Sequence, residues 1–123
     1  MEKLKTHKDL ILWQKSVAFV TKIYEVTSKF PRSEIYGITN QIRRAAVSIP
    51  SNIAEGSGRR STKELVQFLY IALGSIAELE TQLIISKNLS YISTDDNSEL
   101  ILDLSEMSKM TVSLIRSLSP TSH

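Results

Sequence analysis

Apolar residues recur along this chain at steps of three and four, the period of an amphipathic helix. Four such segments are separated by helix-stopping sequences. Phe30-Pro31 ends the first, and Gly56-Ser57-Gly58 and Asn88 end the second and third, because glycine and asparagine suit a left-handed turn after a helix. Ser61 is the expected N-cap of the third helix, and Ser93-Thr94-Asp95-Asp96 supplies caps and negative charge for the fourth. The predicted helices are about residues 9–29, 33–56, 62–87 and 95–118, and the start of the second lies somewhere between Pro31 and Thr39.

The apolar stripes differ in width from helix to helix. That of the second helix is narrow and consists of Ile35, Ile38, Ile42, Ala45, Ala46, Ile49 and Ile53. The third helix carries no charge from Val66 to Ala77 and is apolar nearly all round, so it should be central to the assembly. The first is apolar over about half its circumference, wider than the ~100° stripe of a surface helix. It is therefore either a well-buried helix of a monomer or a helix with neighbours in another subunit.

These elements predict an all-α protein, an up-down-up-down antiparallel four-helix bundle, with residues 1–123 as a single domain. Short connections place consecutive helices side by side with opposite directions. Pro50 lies inside the second helix, where it cannot donate a backbone hydrogen bond and its ring meets the Ala46 carbonyl, at about 3 kcal/mol in an ordinary helix. We therefore expect a kink at Pro50.

Composition excludes several classes of protein. The chain has no cysteine, so it has neither disulfides nor thiolate metal sites. Its first residues lack an apolar signal core, and no run reaches the roughly 18 apolar residues of a membrane span, which predicts a cytoplasmic protein without a membrane segment. The Glu-x-x-His repeats of di-iron bundles are absent, and no catalytic constellation is found. We expect no enzyme activity, metal or cofactor.

Charge divides the chain into two halves. Residues 1–63 hold 12 Lys and Arg against 5 Asp and Glu, whereas residues 64–123 hold 3 against 8. This asymmetry indicates either an anion-binding face or two halves that pair with each other.

A polar row follows the second helix. Its members recur at steps of three or four and are Gln41, Arg44, Ser48, Asn52 and Glu55. In an antiparallel hairpin Arg43 and Arg44 lie opposite Glu78, which predicts an ion pair within the chain or to a neighbouring subunit, extended by Gln82. The alternative is that these arginines hold RNA phosphates. The row is otherwise expected to be an internal polar seam.

Basic residues outside this row are candidates for nucleic-acid contacts. Arg59, Arg60 and Lys63 form a basic turn, and Lys8, Lys15, Lys22 and Lys29 repeat every seven residues along the first helix. In a symmetric ring such patches would form a belt that binds phosphates without reading sequence. Lysines at this spacing are equally typical of a solvated face. The aromatic residues lie mainly on apolar stripes and are expected in the core or an interface rather than as stacking platforms.

Three segments of the chain are distinctive: His7-Lys8-Asp9-Leu10 with Trp13-Gln14-Lys15 and Phe30-Pro31, the run from Gln41 to Gly56, and the run from Phe68 to Gln82. Together they resemble a known family, the small bacterial proteins encoded in intervening sequences of 23S ribosomal RNA genes. The resemblance implies a four-helix bundle that assembles into five-subunit rings. A related branch comprises accessory proteins of diversity-generating retroelements, which act with a reverse transcriptase and its RNA.

Two hypotheses follow from the residues and the resemblance. The first is a non-enzymatic homopentameric scaffold that binds structured RNA, or a nucleic-acid enzyme, weakly and without sequence preference. The second is an adaptor that binds only proteins through its apolar faces.

Overall fold

A computed structural model describes residues 6–119, apart from the side chain of Asp9. Within this range the protein is all-helical and contains no strand, as predicted. The helices are α1 (Ile11–Thr27), α2 (Ile38–Ser57), α3 (Thr62–Asn88) and α4 (Thr94–Leu118), and single 3-10 turns span His7–Asp9 and Arg32–Glu34. The ends of the predicted domain, residues 1–5 and 120–123, lie outside the described residues.

The start of α2, which the sequence leaves open between Pro31 and Thr39, lies at Ile38 in the structure, five residues after the approximate value of 33. The 3-10 turn Arg32–Glu34 comes first, and Gly37 has a non-helical backbone with φ −104° and ψ −123°. The Glu34 carboxylate then accepts a hydrogen bond from the Ile38 amide at 3.4 Å, which satisfies one of the free donors at the helix start. Ile35 consequently lies outside the α2 stripe and is 45% exposed.

Glu34 also connects this turn to the α3–α4 connection. Its other carboxylate oxygen accepts a hydrogen bond from the Tyr91 hydroxyl at 2.9 Å. Because the carboxylate holds the hydroxyl proton, the hydrogen bond raises the pKa of Tyr91 above its ordinary value.

The helix ends confirm Ser61 as the N-cap of α3 and show that Ser93, of the four residues expected to cap α4, is its N-cap, but they do not confirm the predicted left-handed glycines. The hydroxyl of Ser61 accepts from the Glu64 amide, and that of Ser93 accepts from the Asp96 amide, both at 3.1 Å. No glycine among residues 6–119 has a positive φ. In this range Ser90 is the one residue with a positive φ, at 63°. The turn after α3 therefore uses Ser90 rather than Asn88, which still belongs to the helix.

One apolar core receives side chains from all four helices. α2 packs against α1 and α3, and α4 packs against α3 and α1. The largest fully buried apolar side chains are Ile23 of α1, Ile42, Ile49 and Ile53 of α2, Leu69, Leu79 and Leu83 of α3, and Leu100, Leu104 and Met107 of α4. The stripe predicted for α2 thus points inward, with Ile35 as the exception, whereas the wider apolar surfaces of α1 and α3 are only partly buried.

α3 is by length and hydropathy the one described helix that would be able to cross a membrane. Its most apolar 18-residue window has a mean hydropathy of 1.4, and 39% of that window is buried inside the protein. A helix that packs on two neighbours passes the same test, because its inner face is part of the core.

Pro50 is buried within α2, and the helix continues past it to Ser57. The predicted kink stays a prediction.

Candidate assembly and nucleic-acid surfaces

Lys15 and Lys22 of α1, and Lys29 just after its end, face carboxylates of α4. The pairs are Lys15–Glu106 at 2.6 Å, Lys22–Asp103 at 2.9 Å, Lys22–Glu99 at 3.5 Å and Lys29–Asp96 at 4.0 Å. The hydrogen bond to Asp103 raises the pKa of Lys22, since the carboxylate favours the charged ammonium. The opposite charges of the two halves of the chain therefore pair along this face. Of the candidate nucleic-acid contacts, Lys15, Lys22 and Lys29 already hold carboxylate partners from α4.

The basic turn between α2 and α3 has two free cations. Arg59 donates to the Glu55 carboxylate at 2.7 Å, and its guanidinium carbon lies 4.9 Å from the centre of the Phe68 ring. Arg60 and Lys63 are exposed and form no ion pair with any residue of the range 6–119. They are the residues of this turn that remain available to an external anion.

The polar row on α2 is internal only at its middle. Ser48 and Ser75 share a hydrogen bond of 2.9 Å between α2 and α3, and the Asn52 amide donates to the Ser48 carbonyl at 2.8 Å. Gln41, Arg44 and Glu55 are exposed. A continuous internal seam is therefore not formed within one chain, since its outer members lie on the surface of α2. A seam completed by neighbouring subunits of a ring stays a prediction.

The predicted ion pair of Arg43 or Arg44 with Glu78 does not form within residues 6–119. Arg43 instead turns toward α1, where its Nε donates to the Thr27 hydroxyl at 2.9 Å and its guanidinium lies 4.5 Å from the Tyr24 ring centre. Arg44 is exposed and has no ion pair in this range, and Glu78 accepts from the Gln82 amide at 3.2 Å. A pair between Arg44 and a carboxylate of another subunit stays a prediction.

A groove of about 690 Å³ runs between α1 and α2. We call it the α1–α2 groove, and its lining is Tyr24, Ile35, Tyr36, Asn40, Arg43, Arg44, Val47 and Ser48. Among the aromatic residues expected in the core or an interface, Phe19 is buried in the core, whereas Tyr36 is 92% exposed in the single chain. The lining contains two arginines and no carboxylate. Only Tyr24 of this lining belongs to the wide apolar stripe of α1, which left a neighbour in another subunit as one of two alternatives.

A second apolar surface lies on the outside of α3. We call it the α3 face, and its exposed members are Tyr70, Ile71, Gly74, Ala77, Thr81, Ile84 and Ile85. Glu78 and Glu80 flank it, and no lysine or arginine occurs between Lys63 and Lys87. A Cβ placed on Gly74 would meet no atom within 4 Å, so the centre of this face is open.

No group of three or more His, Cys, Asp or Glu side chains that would suit a metal ion occurs among residues 6–119.

Comparison with known proteins assigns the family. The model of the 23S rRNA-intervening sequence protein family matches residues 8–113. A crystal structure of a protein with unknown function from the S23 ribosomal protein family of Bacteroides thetaiotaomicron has the same fold, with a TM-score of 0.80 and 25% identity, over 86% of this chain and 99% of that one. Curated proteins give no significant match. Since the family model spans most of the chain, this protein belongs to the 23S rRNA-intervening sequence protein family.

Proposed function

We propose that the protein is a non-enzymatic, self-assembling helical scaffold. Each subunit is an up-down-up-down antiparallel bundle, kinked at Pro50, and five subunits form the assembly. The observation that carries this proposal is that one chain leaves two apolar surfaces in contact with water, the α1–α2 groove and the α3 face. The subunit number rests on the resemblance described above.

The exposure of these surfaces is larger than a monomer needs. In the groove and its surroundings Tyr24 is 44%, Ile35 45% and Val47 40% exposed. On the α3 face Tyr70 is 58% and Ile71 51% exposed. Clustered exposed apolar side chains mark interaction sites, because burial stabilises a complex by about 25 cal/mol for each Å² of apolar area removed from water.

The mass of the purified protein tests this proposal. We expect light scattering at micromolar concentration to give about five times the chain mass of 13.8 kDa. Ile84→Asp should shift the protein toward the monomer, since it places a charge on the α3 face. Leu102→Asp is the matched control, because Leu102 is 67% exposed on α4, outside both surfaces. A wild-type protein that is monomeric at this concentration would contradict the proposal.

RNA binding is the second function that we propose, through the turn that carries Arg60 and Lys63. Both cations are exposed and lack a carboxylate partner in the described chain, and the family is named for an intervening sequence of ribosomal RNA. Repetition of the turn in a ring would multiply a weak contact with the phosphate backbone.

Substitution of these two cations should weaken RNA binding. We expect Arg60→Ala with Lys63→Ala to reduce affinity for a structured RNA about tenfold at ~50 mM salt, and to lower the dependence of affinity on salt. Lys15→Ala with Lys22→Ala removes the same charge but should have a smaller effect, because α4 carboxylates already neutralise those lysines. Gel-shift titrations over a salt series measure both. Absence of binding by the wild type at ~50 mM salt would leave only the adaptor function.

A further inference from the structure

We propose that the α1–α2 groove of one copy receives the α3 face of a second copy, with Arg44 of the first paired to Glu80 of the second. The proposal rests on the self-assembly proposed above and names the two surfaces that meet.

The groove has the character of a half-interface that needs an acidic partner. Tyr24, Ile35 and Val47 supply apolar area, and Arg43 and Arg44 supply the charge. Arg43 is held in place by Thr27 and the Tyr24 ring. Covering these arginines without an opposite charge would be costly, because each would lose hydration. Glu78 of the same chain lines a neighbouring pocket with Arg44, but it forms no ion pair with Arg44 and accepts from Gln82 instead. An apolar occupant that brings its own carboxylate is therefore favoured.

The α3 face has the complementary character. Its apolar members Tyr70, Ile84 and Ile85 are exposed, and the nearest cations along α3 are Lys63 and Lys87, at its two ends. Charge and apolar character of the two surfaces therefore match within one sequence, which makes a second copy the occupant that both surfaces fit.

Arg44 and Glu80 are the charges left free for this contact. Arg44 is exposed and without an ion pair in residues 6–119, as described above. Glu80 is exposed and makes neither a side-chain hydrogen bond nor an ion pair in the same range, whereas Glu78 is engaged by Gln82. Opposite charges at a contact favour the correct partner, and like charges placed opposite each other cost several kcal/mol.

The contact joins two different surfaces, the α1–α2 groove of one copy and the α3 face of the next. Every copy carries both surfaces. Such a head-to-tail interface generates a ring when its rotation closes. The open space over Gly74 allows the lining of the groove to approach the α3 backbone closely.

Charge exchange tests the pairing. Arg44→Glu and Glu80→Arg should each raise the dissociation constant of the assembly about 100-fold, since each places like charges opposite each other. The double variant Arg44→Glu with Glu80→Arg should restore the constant to within about tenfold of the wild-type value. Analytical ultracentrifugation over a concentration series measures the constants, and circular dichroism verifies that each variant is folded.

Two further variants complete the experiment. Arg60→Glu is the matched control, because Arg60 is an exposed arginine outside both surfaces, and it should leave the assembly intact. Gly74→Trp should block assembly without disturbing the fold, since the added side chain enters open space.

Three results would overturn the inference. The first is an assembly unaffected by Arg44→Glu, and the second is a double variant no better assembled than the single ones. The third is a loss of RNA binding in Arg44→Glu while the mass of the assembly is unchanged, which would assign the groove to RNA binding. In each case the wild type still assembles, so the proposed scaffold function is retained. A monomeric wild type would remove both proposals.

Discussion

Replacing Leu79 with alanine should lower the free energy of unfolding by about 3 kcal/mol. Leu79 is completely buried in the core, on the helix that packs against both α2 and α4. The substitution removes apolar atoms and leaves a cavity that the surrounding helices fill only in part. Both terms act in the same direction, so the expected loss is a large fraction of the stability of a domain of this size.

Denaturant titration at a fixed protein concentration measures this effect, because assembly makes apparent stability depend on concentration. Leu102→Ala on α4 is the matched control. The same atoms are removed, but Leu102 is 67% exposed, and the change should stay within about 0.5 kcal/mol. Equal losses for the two variants would contradict the assignment of Leu79 to the core.

Replacing Gly56 with alanine should lower the free energy of unfolding by about 2 kcal/mol or more. A Cβ at this position would lie 2.7 Å from the Cβ of Phe68 and 3.0 Å from the Cδ1 of Leu65. The Phe68 Cβ is attached directly to the α3 backbone, so the clash can be relieved only if α2 and α3 move apart. Gly56 is therefore required by close helix packing, not by its own backbone conformation.

Gly58→Ala is the control for Gly56→Ala. Gly58 is exposed, its φ is −85°, and an added Cβ would lie 3.6 Å from the nearest atom, the Glu55 carbonyl oxygen. Thermal unfolding should therefore show little change for Gly58→Ala and a clear loss for Gly56→Ala. If Gly56→Ala is as stable as the wild type, the α2–α3 contact is looser than the structure has it.

Gly56 was predicted correctly as a residue near a helix end, but for the wrong physical reason. A glycine after an apolar stripe predicts a helix end, and α2 does end at Ser57. The reason inferred from the sequence, a left-handed turn, is wrong, because the chain continues in the right-handed region. A neighbour twelve residues away, Phe68, requires the small residue, and the sequence does not reveal that distance.

The partners of the charged residues also depend on the tertiary structure. The excess of cations in the first half of the chain left pairing and anion binding as open alternatives. The choice between them for Lys15 and Lys22 depends on the rotation of α1 against α4, which places Glu106 and Asp103 within reach. In the same way, Arg43 binds Thr27 and stacks on Tyr24 because α1 and α2 are adjacent.

The sequence by itself determined the number of α-helices, the inward stripe of α2 and the serine N-cap of α3. These features depend on the helical period and on hydrogen bonds over three or four residues. Only the tertiary structure decided that α2 begins at Ile38, that the polar row is mostly exposed and that Arg44 is free. These outcomes depend on how helices distant in sequence are rotated against each other. A helix with more than one apolar side can pack on its neighbours in more than one rotation. That freedom is why the two exposed surfaces, on which the proposed assembly rests, became visible only in the folded chain.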